Sequence, residues 1–231
     1  MKTIDRFFLI AVFFLFYLEL PAQSQYKSHD IVEAVATLGG RICNGNFNFS
    51  FDGSPYLADQ FALGEIYYNG QDKFTAVPIR YNIFYDEMEY RELDKERIYA
   101  LKPGEAFDKI IIPEDTFIVA QYKKLNEEKF GFFKIHECGK VSLLVKMDME
   151  FKEAQGETTH EMAQPARFVR KSDEYYLKMP DQPAILIKNA KKMISSLNDH
   201  EEELETYQKT HKISGKKEED LIRLVTYYNS L

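Results

Sequence analysis

The hydrophobic rhythm of the chain changes twice. Residues 7–18 are apolar without a break, residues from about 42 to 179 run in short β-branched and aromatic stretches, and beyond about 183 apolar residues recur at three-and-four spacing. The rhythms predict different structures, because side chains repeat every two residues on a strand and about every 3.6 on a helix.

The middle rhythm predicts a succession of strands. Ile66-Tyr67-Tyr68 leads into Asn69-Gly70, a hairpin signal because both residues tolerate positive φ. Phe74 to Ile83 follows, with Pro78 marking an edge position or a bulge. Met88 to Leu93, Arg97 to Leu101, Lys109 to Ile112 and Thr116 to Tyr122 come next, separated by Asp86-Glu87, Lys102-Pro103-Gly104 and Pro113-Glu114-Asp115. Lys129 to His136 and Lys140 to Lys152 predict a long hairpin turning at Cys138-Gly139. Arg167 to Arg170 and Tyr175 to Lys178 predict another, turning at Ser172-Asp173. Connections this short favour antiparallel pairing, since a parallel crossover needs a dozen or more residues. Residues 153–166 read as an irregular loop with Gly156 and Pro165.

In the last segment Ala190, Met193, Ile194 and Leu197 make one apolar stripe. Asp199, with Glu202 three residues on, reads as the N-cap of a second helix that turns Leu204 and Tyr207 inward. Ser214-Gly215 breaks the chain before a final helix carrying Leu221, Val225 and Tyr228. The fold class expected is therefore mainly β: an antiparallel meander forming a roll, sandwich or partly open barrel, with two to three short C-terminal α-helices. An outer-membrane barrel does not fit strands that carry so many charges.

The first rhythm reads as a secretory signal. Lys2 and Arg6 precede the twelve-residue apolar run, which is too short to span a bilayer, and Ala22-Gln23-Ser24 supplies small residues for cleavage after Ser24. The domain plan is thus a signal peptide over 1–24, an antiparallel β domain over 25–182 and a helical segment over 183–231 packed on it. No transmembrane segment is expected after cleavage, and the destination is the periplasm or the extracellular space.

Charge narrows the partners. The net charge of −7 survives cleavage, because Lys2 and Arg6 balance Asp5 and Glu19. An acidic surface repels phosphate backbones, so nucleic acid is not an expected partner. Cys43 and Cys138 are the only cysteines. In an oxidising compartment they can form one disulfide, closing a loop worth about 4 kcal/mol in the chain-entropy model, or they are two separate buried thiols.

Candidate chemistry is sparse. His136-Glu137, His160-Glu161 and His200-Glu201 invite a zinc-protease reading, but one helical turn later stand Lys140, Gln164 and Leu204, so no second imidazole follows. There is no G-x-S-x-G elbow and no glycine-rich phosphate cradle, and neither a metal nor a cofactor is expected. The densest polar constellation is Arg80-Tyr81-Asn82 with Asp86, Glu87, Glu89 and Arg91. By alternation Glu87, Glu89 and Arg91 share a strand face. Arg80, Asp86, Glu87 and Glu89 are the candidate ligand-binding residues, as a carboxylate acid–base pair or an oxygen-rich cation site. The competing reading is a charged outer sheet face with cross-strand ion pairs, Arg80 supplying one partner.

Gly53-Ser54-Pro55-Tyr56-Leu57, Phe61, Gly64, Val77-Pro78-Ile79-Arg80-Tyr81-Asn82 and Asp86-Glu87-Met88-Glu89 together resemble a family of uncharacterised secreted bacterial proteins. The resemblance continues through Lys129-Phe130-Gly131-Phe132-Phe133, Gly139-Lys140-Val141-Ser142-Leu143-Leu144 and Tyr227-Tyr228-Asn229-Ser230-Leu231. It implies a Gram-negative envelope or periplasmic setting and brings no activity and no functional residues.

Three functions remain, in order. The first is an exported, non-enzymatic β-domain that binds a protein or cell-envelope component and presents an exposed apolar or aromatic patch. The second is a periplasmic carrier of a small apolar ligand held in a cavity lined by strand Phe and Tyr. The third is a hydrolase using the strand carboxylates Asp86, Glu87 and Glu89.

Overall fold

The computed structural model describes residues 41–42, 51–70, 72–92, 97–104, 106–125, 127–157, 162–215 and 217–231. The signal segment over 1–24, Cys43 and the pair His160-Glu161 lie outside them. The described chain is mainly β, as its alternation predicts. One antiparallel sheet holds β1 (Arg41–Ile42), β2 (Ala62–Tyr68), β3 (Asp72–Asn82), β4 (Glu87–Arg91), β5 (Ile98–Leu101), β6 (Phe107–Ile112), β7 (Asp115–Lys124), β8 (Glu127–Glu137), β9 (Ser142–Lys146), β12 (Glu174–Lys178) and β13 (Ile185–Ile187). Its spatial order is β1-β5-β4-β3-β2-β6-β7-β8-β9-β12-β13, and it does not close into a barrel. β10 (Met149–Lys152) and β11 (Arg167–Arg170) form a separate hairpin.

The local signals hold where the chemistry is local. Asn69 and Gly70 both take positive φ, 53° and 69°, in the β2–β3 turn. Pro78 lies on a central strand, not an edge, and pairs in register with Leu63, two residues beyond a bulge at Ala76. The β2–β3 register shifts between Gly64 and Ile66, where Ala76 takes φ 55°. Gly64 is required there, because a Cβ would stand 2.4 Å from the Ile111 carbonyl oxygen.

Two differences from the expected elements share a cause, and a third stands apart. The stretch Lys140 to Lys152 is not one strand. β9 pairs β8 only as far as Val145 opposite Lys134, and the chain then leaves the sheet. β11 and β12 are not a hairpin: β11 pairs β10, and β12 lies between β9 and β13. The break falls at Met147-Asp148, because Met147 and Met149 turn into the core formed by Ile79, Tyr81, Met88, Tyr90, Phe117 and Phe132, whereas Leu144 and Tyr176 pack with Tyr122 and Phe133 on the other side of the sheet. The third difference is β13, which occupies a segment expected to be purely helical.

Beyond β13 come α1 (Ala190–Ile194), α2 (Glu201–Thr210) and α3 (Glu218–Ser230). Their apolar stripe is buried as its spacing predicts. Met193, Leu197, Leu204, Leu221, Val225 and Tyr228 pack against Leu143, Leu177 and Ile187 of the sheet. Asn189 caps α1, its side chain accepting from the Lys192 amide at 2.8 Å. Asp199 does not cap α2. His200 takes that place at φ 55° without a side-chain bond, and Asp199 accepts instead from the Tyr228 hydroxyl at 2.8 Å. Among the described residues, no helix is long and apolar enough to cross a membrane.

Candidate functional site

The β3–β4 hairpin carries all four candidate residues and sends them two ways. The register sets Arg80 opposite Glu89 and Asn82 opposite Glu87, so these four share one face. Asp86, in the turn at φ 54°, is directed elsewhere. The Arg80 guanidinium donates through Nε and Nη2 to Glu89 Oε2, at 2.9 and 2.7 Å, and Asn82 Nδ2 donates to Oε1 at 3.0 Å. This is the cross-strand ion pair that alternation suggests, but it is not on an outer face. Residues 52–61 cross over it, with the Tyr56 ring 3.5 Å and the Phe61 ring 4.4 Å from the guanidinium carbon. Arg80 Nη1 donates to the Asp59 carbonyl of the same segment. Glu87 and Glu89 are both buried. Desolvation strengthens such a pair electrostatically and makes each member dependent on the other.

Asp86 enters a second buried network. Its Oδ1 accepts from the Tyr81 hydroxyl at 2.7 Å and the Phe132 amide at 3.3 Å, and pairs with Lys146 Nζ at 2.5 Å. Lys146 Nζ also donates to the Phe132 carbonyl at 3.0 Å. β9 pairs β8 no farther than Lys134, and these two side chains satisfy the Phe132 amide and carbonyl beyond that point. Gly131 makes room for them, since a Cβ there would lie 3.0 Å from Lys146 Nζ and 3.1 Å from Asp86 Oδ2. Lys146 is only 4% exposed, and burial holds its ammonium below the ordinary lysine range despite the Asp86 charge. Sequence reading missed Lys146. The available signal was a single charge inside the apolar run Leu143-Leu144-Val145-Lys146-Met147.

The turn that points Asp86 inward carries aromatic rings outward. Phe84 and Tyr85 sit edge to face with centroids 4.9 Å apart, and Phe84 packs on Phe168 of β11 at 5.2 Å. Phe51 and Phe151 meet the same Phe168 ring at 5.2 and 5.0 Å. Three separate segments thus converge on Phe168. Residues 51–56 are fixed by the Asp52 amide donating to the Ala166 carbonyl, while the Asp52 carbonyl accepts from the Phe168 amide. The Ile83 amide donates to the Pro55 carbonyl and ties the β3–β4 turn to that segment. Gly53, at φ 77°, lets it pass, for a Cβ would meet the Phe168 carbonyl oxygen at 2.9 Å. Tyr85 remains 45% exposed and Phe151 41%, so the cluster presents ring surface to solvent. Its edge is charged: Lys171 pairs with Asp148 and Glu150, and Arg170 pairs with Asp173. Lys124, the Met149 amide and Lys171 together hold the Asp148 carboxyl below its usual range, although burial alone would raise it.

Cys138 is exposed at the end of β8, its Sγ accepting from Ser142 Oγ at 3.6 Å, so the buried-thiol reading fails for this residue. Its proposed partner Cys43 is outside the described residues. His136, two residues earlier, pairs through Nε2 with Glu218 Oε1 at 2.9 Å, which ties β8 to the start of α3.

Buried and half-buried tyrosines set a pH limit on this arrangement. Burial, then Asp86, raises Tyr81; burial, then Asp86 and Glu174, raises Tyr122 to about 12; and Tyr175, Tyr176 and Tyr228 are also raised, by burial and by Glu218, Glu174 and Asp199 respectively. A group raised on folding contributes stability in full below its unfolded value, about 10 for tyrosine, and loses it as pH rises through the folded value. Lys146, lowered on folding, works in the opposite sense, but it is one group against five. Alkaline titration is therefore expected to show an early class of phenolates with the fold intact. A late class should ionise together with loss of the far-ultraviolet β signal. A single class near pH 10 with the β signal unchanged would contradict this.

Fold and site together define an open antiparallel β-sheet protein with a helical cover at one end and a three-segment aromatic face at a turn. No family model, curated protein or solved structure matches the chain.

Proposed function

We propose that the chain is an exported, non-enzymatic β-domain that binds a protein or cell-envelope component through the aromatic face around Phe168. The observation that carries this reading is the exposure of Tyr85 and Phe151 at the edge of five converging rings. Rings held by a rigid scaffold lose little entropy on binding, and aromatic anchors dominate the energetics of interfaces. Export, to the periplasm or beyond the cell, rests on the charged, apolar and small-residue pattern of residues 1–24. A Gram-negative envelope setting rests on the family resemblance.

The alternatives have less support. In the carrier reading, strand rings line a cavity, but Tyr122, Phe133 and Tyr176 pack edge to face on one another at 5.1–5.6 Å. In the hydrolase reading, a strand carboxylate is available to substrate, but both oxygens of Glu89 are engaged by Arg80 and Asn82, and Asp86 is engaged by Lys146 and Tyr81. Native mass spectrometry of the protein purified gently from its own host tests the proposal. The expected spectrum contains a stoichiometric complex with a protein or envelope component. A small apolar molecule that leaves on denaturation would replace the proposal with the carrier reading.

A further inference from the structure

A second surface, independent of the aromatic face, lies between α2 and α3. Glu202, Glu203, Thr206, Tyr207, Thr210, His211 and Tyr227 line an open surface groove of about 510 Å³. Its wall is a column of three rings. Tyr207 stacks on Tyr227 with centroids 4.0 Å apart and planes within 8°, and His211 lies against Tyr207 at 4.0 Å with its plane tilted by 32°. His211 Nδ1 donates to the Tyr207 carbonyl at 2.9 Å, which fixes that ring.

Among the described residues, the carboxylates of Glu202 and Glu203, in the first turn of α2, are the formal charges that line this groove. Two nearby cations are engaged elsewhere: Lys209 pairs with Glu205 at 2.9 Å, and Arg223 donates to the His211 carbonyl at 3.3 Å. At the groove itself His200 Nδ1 lies 3.4 Å from Oε1 of Glu203, one of the groove's own carboxylates. Among the described residues, no lysine or arginine lines the groove. A planar cation both extends a ring column and donates in its own plane to carboxylates, and guanidinium is the side-chain group with that geometry.

We propose that the α2–α3 groove binds an arginine side chain presented by a partner, its guanidinium stacked on the ring column and hydrogen-bonded to Glu202 and Glu203. The room beyond one guanidinium admits the aliphatic stem and adjoining backbone, and the Thr206 and Thr210 hydroxyls supply further acceptors. The aromatic face around Phe168 plays no part in this site.

The test titrates the full chain with acetyl-arginine-amide and with acetyl-citrulline-amide, a planar but uncharged counterpart, while following the ring signals of Tyr207 and Tyr227 by nuclear magnetic resonance. The arginine probe is expected to saturate and to shift both rings, with the citrulline probe about tenfold weaker or worse. The double substitution Glu202→Gln/Glu203→Gln, at two exposed positions, should weaken the arginine probe by a similar factor while the variant keeps a cooperative thermal unfolding transition. Equal binding of the two probes, no saturable shift, or undiminished binding by the double variant would each overturn the proposal.

Discussion

Asp86→Ala is expected to destabilise the protein by on the order of 3–5 kcal/mol, the cost of leaving one partner of a buried ion pair alone. The loss falls on Lys146, which would keep, among the described residues, only the Phe132 carbonyl as acceptor in a site 4% exposed. Tyr81 and the Phe132 amide lose their acceptor in the same step. The effect should depend on pH with a definite sign. Without Asp86 the already lowered Lys146 falls further, so the unfolded chain binds more protons than the folded one over a wider range, and the deficit shrinks as pH rises. Denaturant unfolding of the variant at neutral and at mildly alkaline pH measures both effects. A loss below about 1 kcal/mol, typical of an exposed pair, would mean that the seam between β8 and the β3–β4 turn is solvated.

Gly215→Ala is expected to cost on the order of 3 kcal/mol, from two sources that act together. The residue takes φ 67°, where a Cβ costs roughly 1–2 kcal/mol. That Cβ would also stand 2.1 Å from the Ala190 backbone nitrogen and 2.8 Å from its Cα, so the turn before α3 must move off α1, and overpacking of this kind costs roughly 1–3 kcal/mol. Gly70→Ala is the control. It shares the positive φ, at 69°, but a Cβ there meets nothing within 4 Å, so only the conformational part should appear. Equal losses at the two positions in denaturant unfolding would show that α1 and the α2–α3 turn do not touch.

These two sites mark where sequence was legible and where it was not. Asn69-Gly70 and the stripe through Met193, Leu197, Leu204 and Leu221 were readable because each is decided by its own neighbours in the chain. The long strand expected over Lys140 to Lys152 failed because its end is decided from far away. Asp86, sixty residues upstream of Lys146, takes the Phe132 amide, and the core around Tyr81 and Phe117 draws off Met147 and Met149. Asp199 shows the same limit: the spacing to Glu202 suits a cap, but the Tyr228 hydroxyl claims its carboxylate. The candidate residues were legible in part. Arg80 and Glu89 do pair across strands, but alternation marks a face without saying whether a segment such as residues 52–61 covers it. The Phe168 cluster was out of reach, because Phe51, Phe84, Phe151 and Phe168 come from segments that no local pattern joins.

The most direct test of the account compares partner retention by the wild-type chain and by Tyr85→Ser/Phe151→Ser, each isolated from its own host and examined by native mass spectrometry. Leu63→Ser, at an exposed position on β2, serves as the surface control. Aromatic anchors are commonly worth about 2 kcal/mol or more at an interface, so the double variant should lose the partner by at least about tenfold while the control retains it. A double variant that folds and holds the same partner in the same proportion as the wild type would contradict the claim that this face is where the protein binds.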